Sequence, residues 1–211
     1  LNRYYEELLQ HPRTAEVKAS ANWLGQRRDA RVRARVSEEA ERFQRDFPEY
    51  YSRTLADYTV ELLPTERILL LHNPLNQGRK APWVAESLHQ LASQATESVY
   101  VQTPYATATD DLLVELAVPT EAEIYYLTNS PGSTPNIFAF PNYYYQRDEF
   151  LETGMRIYEY QSQDSIHGKA YLIDEKFSAI GSFNLDSRSR HINTEVMLVI
   201  DSARRGCTPL S

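Results

Sequence analysis

A histidine and a lysine two residues apart are the side chains in this sequence best suited to chemistry. His167 and Lys169 open the segment 167–174 (HGKAYLID), and residues 181–184 (GSFN) follow six residues after Asp174. Alternate residues of a strand project from one face, so the two side chains are expected to lie side by side. A polar pair inside an aliphatic run is costly to bury, which predicts that it faces a cleft.

This pair suits attack on an anionic phosphorus centre. An imidazole can act as nucleophile or as general acid and base, and the Lys169 ammonium would stabilise charge on the phosphoryl oxygens. Asn184 and Ser182 could donate further hydrogen bonds, and Gly181 would let the backbone approach closely. Because an ammonium repels a cation, the pair predicts catalysis without a metal, and no cofactor is expected.

The elements that must hold these residues are predicted from hydrophobic periodicity between residues 65 and 201. Short apolar runs alternate with helical patterns, which indicates an α/β fold with a mixed β-sheet. Strands are predicted at residues 67–72, 98–103, 123–128, 155–160, 166–173, 177–182 and 194–200, the first of them buried. Helices are predicted from Pro82 to about residue 95, at about 110–117, and at about 142–153, closed by Gly154.

Residues 1–64 differ in character and are predicted to be a separate helical segment. Five arginines between residues 27 and 35 precede three glutamates between 38 and 41. Helices with solvated charged faces are the simpler interpretation, and a surface for anionic headgroups is the alternative. Residues 65–211 are predicted to form the catalytic domain.

Composition limits the classes of protein that remain. Hydrophobic residues make up 42% and charged residues 24% of the 211, which is typical of a globular chain. A net charge of −7 argues against a general nucleic-acid binder. The single cysteine, Cys207, excludes an internal disulfide, and no apolar run approaches the roughly eighteen residues of a membrane span.

The spacing His-x-Lys, four residues, Asp, six residues, Gly-Ser-x-Asn resembles the phospholipase D superfamily at all six fixed positions. Residues 184–189 (NLDSRS) and 193–195 (NTE) resemble its bacterial cardiolipin synthase-like branch. Residues 127–130 (LTNS) and 103–105 (TPY) resemble strand-end elements of the same branch. The likeness covers about residues 65–201 and implies a phospholipase D-like mixed sheet sandwiched by helices.

The resemblance implies a role for each motif residue. His167 would be catalytic, Lys169 and Asn184 would hold the phosphate, and Glu195 would orient the imidazole. Asp174 and Gly181 would be structural.

Three further residues are implied to lie near the substrate. Ser182 and Tyr105 would contact it, whereas Arg188 would either bind a headgroup phosphate or pair with Asp186.

Members of this branch carry the motif twice, but it occurs once in this chain. The remaining histidines, which lack the spacing, are His11, His72, His89 and His191. The partner motif would come from a missing N-terminal half or from a second copy, and the start without Met favours the half. By the same resemblance, His167 would serve as general acid and base rather than as the nucleophile.

A lipid phosphodiester is the expected substrate, with a nuclease or an inert half-domain as alternatives. The resemblance also implies peripheral membrane contact and a place in the bacterial cytoplasm or at the inner face of its membrane. The segment from Pro131 to Tyr145 is predicted to be an irregular aromatic loop. It would either fold onto the protein core or contact lipid at the mouth of the site.

Overall fold

The computed structural model describes residues 2–16, 23–54, 56–57, 65–75, 78–107, 121–134 and 140–202. The chain divides into two compact units, residues 1–64 and residues 65–211. Each unit has its own secondary structure and is described by itself.

The first unit contains helices in its described ranges. Its helices are α1 (Asn2–Leu9), α2 (Trp23–Asp46) and α3 (Pro48–Ser52). Pro48 opens α3, where its missing N–H costs no helical hydrogen bond. The rings of Phe43 and Phe47 lie 4.9 Å apart at the junction of α2 and α3. Within the described residues, no helix of the chain is long and apolar enough to cross a bilayer.

The second unit contains, in its described residues, a seven-stranded mixed sheet. Its elements in chain order are β1 (Arg67–His72), α4 (Trp83–Ser93), β2 (Ser98–Gln102), β3 (Ala106–Thr107), β4 (Glu123–Asn129), α5 (Phe140–Glu152), β5 (Arg156–Tyr160), β6 (Ala170–Ile173), β7 (Phe177–Gly181), β8 (Leu185–Asp186), α6 (Ser187–His191) and β9 (Val196–Asp201). The strand order is β1-β9-β7-β6-β2-β4-β5, and β3 pairs with β8 separately. Only β2, β4 and β5 are parallel neighbours in the large sheet. This mixed sheet with its helices confirms the predicted fold class.

One face of the large sheet carries the hydrophobic core. Val101 of β2 lies opposite Tyr171 of β6 in the ladder, and both are buried. Helix α4 contributes Leu88, and α5 contributes Phe150, whose ring stacks on Tyr126 of β4 at 6.3 Å. Burial of these side chains is the main force that holds the helices on the sheet.

The opposite face carries tyrosines in place of aliphatic core residues. Tyr100, Tyr125 and Tyr158 lie on three adjacent strands, with ring centroids 4.7 Å and 6.4 Å apart along the row. Leu172 and Ile180 continue this face and line a groove of about 690 Å³. This face is therefore lined by aromatic and aliphatic side chains.

Two predicted strands differ in detail from the observed ones. The strand at residues 67–72 is present, but Ile68 and Leu69 are 59% and 52% exposed. Within the described sheet, β1 pairs only with β9, so it is an edge strand and the prediction of a buried strand is wrong. The strand predicted at 166–173 begins only at Ala170, so His167 precedes it. The helix predicted at 110–117 lies outside the described residues.

The prediction of an irregular segment up to Tyr145 is also wrong at its end. Helix α5 begins at Phe140, because Pro141 stands in the first turn, where a helix needs no N–H donor. Tyr143 is buried in the core, whereas Tyr145 is 80% exposed. Residues 135–139 lie outside the described part of the chain.

Candidate active site

The His167–Lys169 pair lies where an irregular segment enters β6. The Gly181 N–H donates to the Lys169 carbonyl at 3.2 Å, which ties the pair to the end of β7. Lys169 Nζ lies 3.1 Å from Nδ1 and 3.3 Å from Nε2 of His167, and it donates to the His167 carbonyl at 2.8 Å. An ammonium has only donors, so it binds the ring nitrogen that carries the lone pair.

Gly181 brings β7 and β9 unusually close together beside this pair. A Cβ at this position would lie 2.1 Å from the Val196 carbonyl oxygen, closer than atoms can pack. The approach lets the Ser182 N–H donate to that carbonyl at 2.9 Å and the Val196 N–H donate to Ser182 Oγ at 3.0 Å. The requirement for glycine is therefore a matter of space rather than of backbone angle.

Glu195, which precedes β9, is a buried carboxylate held by two side chains. It accepts from Ser182 Oγ in a short hydrogen bond and from Asn193 Nδ2 at 3.0 Å. Among the described residues, the ring nitrogens of His167 hydrogen-bond only to Lys169, and Glu195 acts on that lysine through its negative charge. Orientation of the imidazole by Glu195 stays a prediction. The Ser182 hydroxyl is likewise engaged with Glu195.

Asn184 and Asp186 connect the site to helix α6. Asp186 caps α6 by accepting from the Ser189 N–H at 2.6 Å. The Ser189 hydroxyl in turn accepts from the Asn184 N–H at 3.3 Å. Asn184 Oδ1 is buried and has no hydrogen-bond partner among the described residues. The sequence suggested Asp186 only as a partner of Arg188, so its capping role was missed.

Burial and two carboxylates determine the electrostatics around Lys169. Burial lowers the pKa of Lys169, while the negative charges of Glu195 and Asp186 act in the opposite direction. Burial also raises the pKa of Asp186, and its hydrogen bonds from Ser189 oppose that rise. Lys169 is therefore a buried lysine that is influenced by the negative charges of Glu195 and Asp186 and that contacts the His167 imidazole.

Tyr105 contacts the central pair, whereas the hydrogen bond of Arg188 is made elsewhere. The Tyr105 ring meets the His167 ring edge to face, with centroids 6.4 Å apart. Arg188 is exposed, and its Nε donates to Asn193 Oδ1 at 3.4 Å. Within the described residues no ion pair joins Arg188 to Asp186, so of the two readings of Arg188 only the phosphate-binding one stays open as a prediction.

Asp174 lies in the turn between β6 and β7. Its carboxylate accepts from the N–H groups of Thr96, Glu97 and Ser98 at 2.8–3.2 Å. Burial alone would raise the pKa of Asp174, but these backbone donors outweigh it and lower the pKa. The contacts fasten the turn to the beginning of β2.

Two other histidines of the second unit, His72 and His191, have different neighbours. His191 Nε2 lies 3.1 Å from Arg79 Nη2, and His72 Nδ1 lies 3.1 Å from the Asn73 carbonyl oxygen. Across the described ranges, no three His, Cys, Asp or Glu side chains converge in a way that could hold a metal ion.

Comparison with known proteins finds relatives of this chain. The chain is 32% identical over 109 residues to cardiolipin synthase 2 of Bacillus anthracis, covering 50% of this chain and 20% of that protein. It is 31% identical over 112 residues to cardiolipin synthase A of Buchnera aphidicola, covering 53% and 23%. The chain thus spans about a fifth of the length of these relatives.

A solved structure shows a similar fold. The crystal structure of Nuc, a phospholipase D family member from Salmonella typhimurium, matches with a TM-score of 0.50 at 15% identity. The match covers 64% of this chain and 83% of Nuc. The family model described as cardiolipin synthase, PLD-like domain matches residues 88–206, which include His167, Lys169 and Glu195. With more than half of its residues matched by that model, the chain belongs to the cardiolipin synthase, PLD-like domain family.

Proposed function

We propose that residues 65–201 supply one half of a phospholipase D-type active site that cleaves a phospholipid phosphodiester through a phosphohistidine. The contact of Lys169 Nζ with both ring nitrogens of His167 carries the proposal. It puts a positive charge where phosphoryl oxygens would meet the imidazole, and such charge stabilises the transition state. Phosphatidyl transfer to an alcohol, as in cardiolipin synthesis, is the reaction we infer, with water as the other acceptor.

Asn184 is the second proposed phosphate ligand. Its Oδ1 is buried without a partner, although most buried polar atoms in proteins are hydrogen-bonded. Turning the amide by 180° would present Nδ2 at the same place as a donor to a phosphate oxygen. Nδ2 now donates to Ser189 Oγ at 3.5 Å, and after the turn Oδ1 would accept from that hydroxyl while Nδ2 would be available to an anionic ligand. Ser182 and Glu195 would then act on Lys169 rather than on the phosphate.

The proposed reaction needs two histidines. The nucleophilic imidazole nitrogen attacks phosphorus, and the bond to the leaving alcohol breaks as that oxygen takes a proton from the second imidazole. The second imidazole then removes a proton from the acceptor, which attacks phosphorus and releases the first histidine. We assign His167 to the acid–base role. The other histidine would come from a second motif, in an N-terminal half or in a second copy of the chain.

The test is turnover of phosphatidylglycerol vesicles with His167→Ala, with His89→Ala as the matched control. His89 lies on α4, outside the cluster described above. We expect His167→Ala to abolish turnover, about 10³-fold or more, with an unchanged far-ultraviolet spectrum, and His89→Ala to retain it. Undiminished turnover in His167→Ala would contradict the assignment.

The same assay separates the other possible functions. Cleavage of a nucleotide diester but not of lipid would identify a nuclease of the same superfamily. Absence of turnover in every oligomeric state detected by light scattering would indicate an inert half-domain. Binding to vesicles, with and without anionic lipid, would test the proposed contact with the cytoplasmic membrane face.

A further inference from the structure

Asn129, the last residue of β4, is a buried side chain that the proposed chemistry leaves without a role. It is only 2% exposed. Its Oδ1 accepts from the Ile166 N–H at 2.9 Å, and its Nδ2 donates to the Ile166 carbonyl at 3.0 Å. One planar amide thus pairs with both backbone groups of Ile166, as a neighbouring strand would.

The same amide also binds the segment that follows β2. Nδ2 donates to the Pro104 carbonyl at 3.3 Å. Ile166 directly precedes His167, and Pro104 directly precedes Tyr105. Asn129 therefore fixes the residue before each of the two rings that meet edge to face in the site.

In the described structure, the segment just before His167 is not held in place by a β-ladder. Residues 165–169 have no regular secondary structure, and β6 begins after the histidine. The turn after β4 is itself held, because the Ser133 hydroxyl donates to the Tyr160 carbonyl at 2.7 Å. The Asn129 amide is consequently held in place and, through its hydrogen bonds to Ile166, positions the irregular segment 165–169.

We propose that Asn129 is a positioning residue that sets the His167 imidazole against the Tyr105 ring and toward the bound phosphate. Its consequence for turnover rests on the function proposed above, but its effect on ring position does not. Only an amide supplies an acceptor for one N–H and donors for two carbonyls in one plane. A carboxylate would lack the donors, and an aliphatic side chain would lack all three bonds.

The experiment compares Asn129→Leu and Asn129→Ser with the unaltered chain by NMR. The His167 ring resonances, assigned with His167→Gln, report the ring current of Tyr105, and hydrogen exchange reports the Ile166 amide. We expect both variants to move the His167 resonances and to speed Ile166 exchange about 100-fold or more. Val84→Ala, a buried substitution in α4, is the control for lost stability and should leave both signals in place.

Three results would overturn the role of Asn129. They are unchanged His167 resonances in a folded Asn129 variant, retained Ile166 protection, or equal changes in Val84→Ala. In an assembly that turns over phosphodiester, we also expect kcat to fall about tenfold to 100-fold with little change in KM, since the substrate contacts remain. If an assembly that supplies the second histidine shows no turnover, the proposed function fails, while the NMR result still decides the role of Asn129.

Discussion

Substitution of Gly181 by alanine tests whether the close approach of β7 and β9 builds the site. The added Cβ would lie 2.1 Å from the Val196 carbonyl oxygen, 2.6 Å from Met197 Sδ and 2.8 Å from Met197 Cα. Two of these three neighbours are backbone atoms of β9, which cannot rotate away. Relief therefore requires the two strands to separate by about 1 Å, toward ordinary non-bonded distances of roughly 3.5 Å.

The cost can be worked out from the contacts that such a separation breaks. The Ser182 N–H bond to the Val196 carbonyl and the Val196 N–H bond to Ser182 Oγ would both lengthen. At about 1 kcal/mol each, their loss removes about 2 kcal/mol. Overpacking a well-packed interior adds about 1–3 kcal/mol. We therefore expect Gly181→Ala to lower the free energy of unfolding by about 3–5 kcal/mol, a large part of a typical total.

Gly168→Ala is the matched control, because it adds the same methyl group in the irregular segment that precedes β6. There the new Cβ would lie 2.6 Å from Gln102 Nε2, the far end of a flexible side chain. The glutamine can move, so we expect a loss of less than about 1 kcal/mol.

Urea unfolding followed by far-ultraviolet circular dichroism, with fitted m-values, measures both changes. An equal loss in both variants, or a loss below about 1 kcal/mol in Gly181→Ala, would refute the argument from strand contact. Because Ser182 holds Glu195, we also expect Gly181→Ala to disturb the surroundings of Lys169 even in molecules that remain folded.

Two carboxylates should show opposite dependence of stability on pH. The lowered pKa of Asp174 means that its charged form stabilises the fold above the unfolded value of about 4, and that this contribution disappears as pH falls through the folded pKa. Asp174→Asn should therefore cost about 1–2 kcal/mol at pH 7 in urea unfolding and progressively less as pH falls through the folded pKa, and an equal loss at every pH would contradict this. The raised pKa of Asp186 means that its contribution is full below the unfolded pKa and is lost as pH rises through the folded pKa. Asp186→Asn, whose amide oxygen can still cap α6, should be at least as stable as the unaltered chain at pH 7, and a clear loss in thermal unfolding there would count against it.

Local sequence patterns were sufficient for most of the fold. Alternation of apolar residues located the strands, and Gly154 closed α5 in the left-handed region at φ 87°. The spacing from His167 to Asn184 also predicted that the His167–Lys169 pair and Gly181 lie close together. They do so because β6 and β7 are joined by a short turn. These features depend on residues that are near one another along the chain.

Features set by strand order were beyond the reach of local patterns. Whether β1 is central or at an edge depends on which strand pairs with it, so the apolar run Ile68–Leu71 gave no warning of its exposure. The partner of Glu195 likewise depends on the register between β7 and β9, which puts Ser182 beside it. Asn129 belongs to the segment 127–130 that resembles the cardiolipin synthase-like branch. Its hydrogen bonds to Ile166, however, join residues that are 37 positions apart in the chain.

The geometry of the pair bears on what a single lobe can do. In the described residues, the ring nitrogens of His167 contact only the Lys169 ammonium, and Glu195 is engaged by Ser182 and Asn193. This cluster, as far as the structure describes it, holds no second imidazole. With His167 in the acid–base role, turnover through a phosphohistidine therefore requires a nucleophilic histidine from outside the cluster. Mixing the chain with its own His167→Ala variant tests whether the second histidine comes from a second copy of the chain. If one site forms between two copies and each must supply a histidine, activity should fall as the square of the unaltered fraction. A linear decline would mean that each copy acts alone, and the requirement for a second histidine from a partner copy would be wrong.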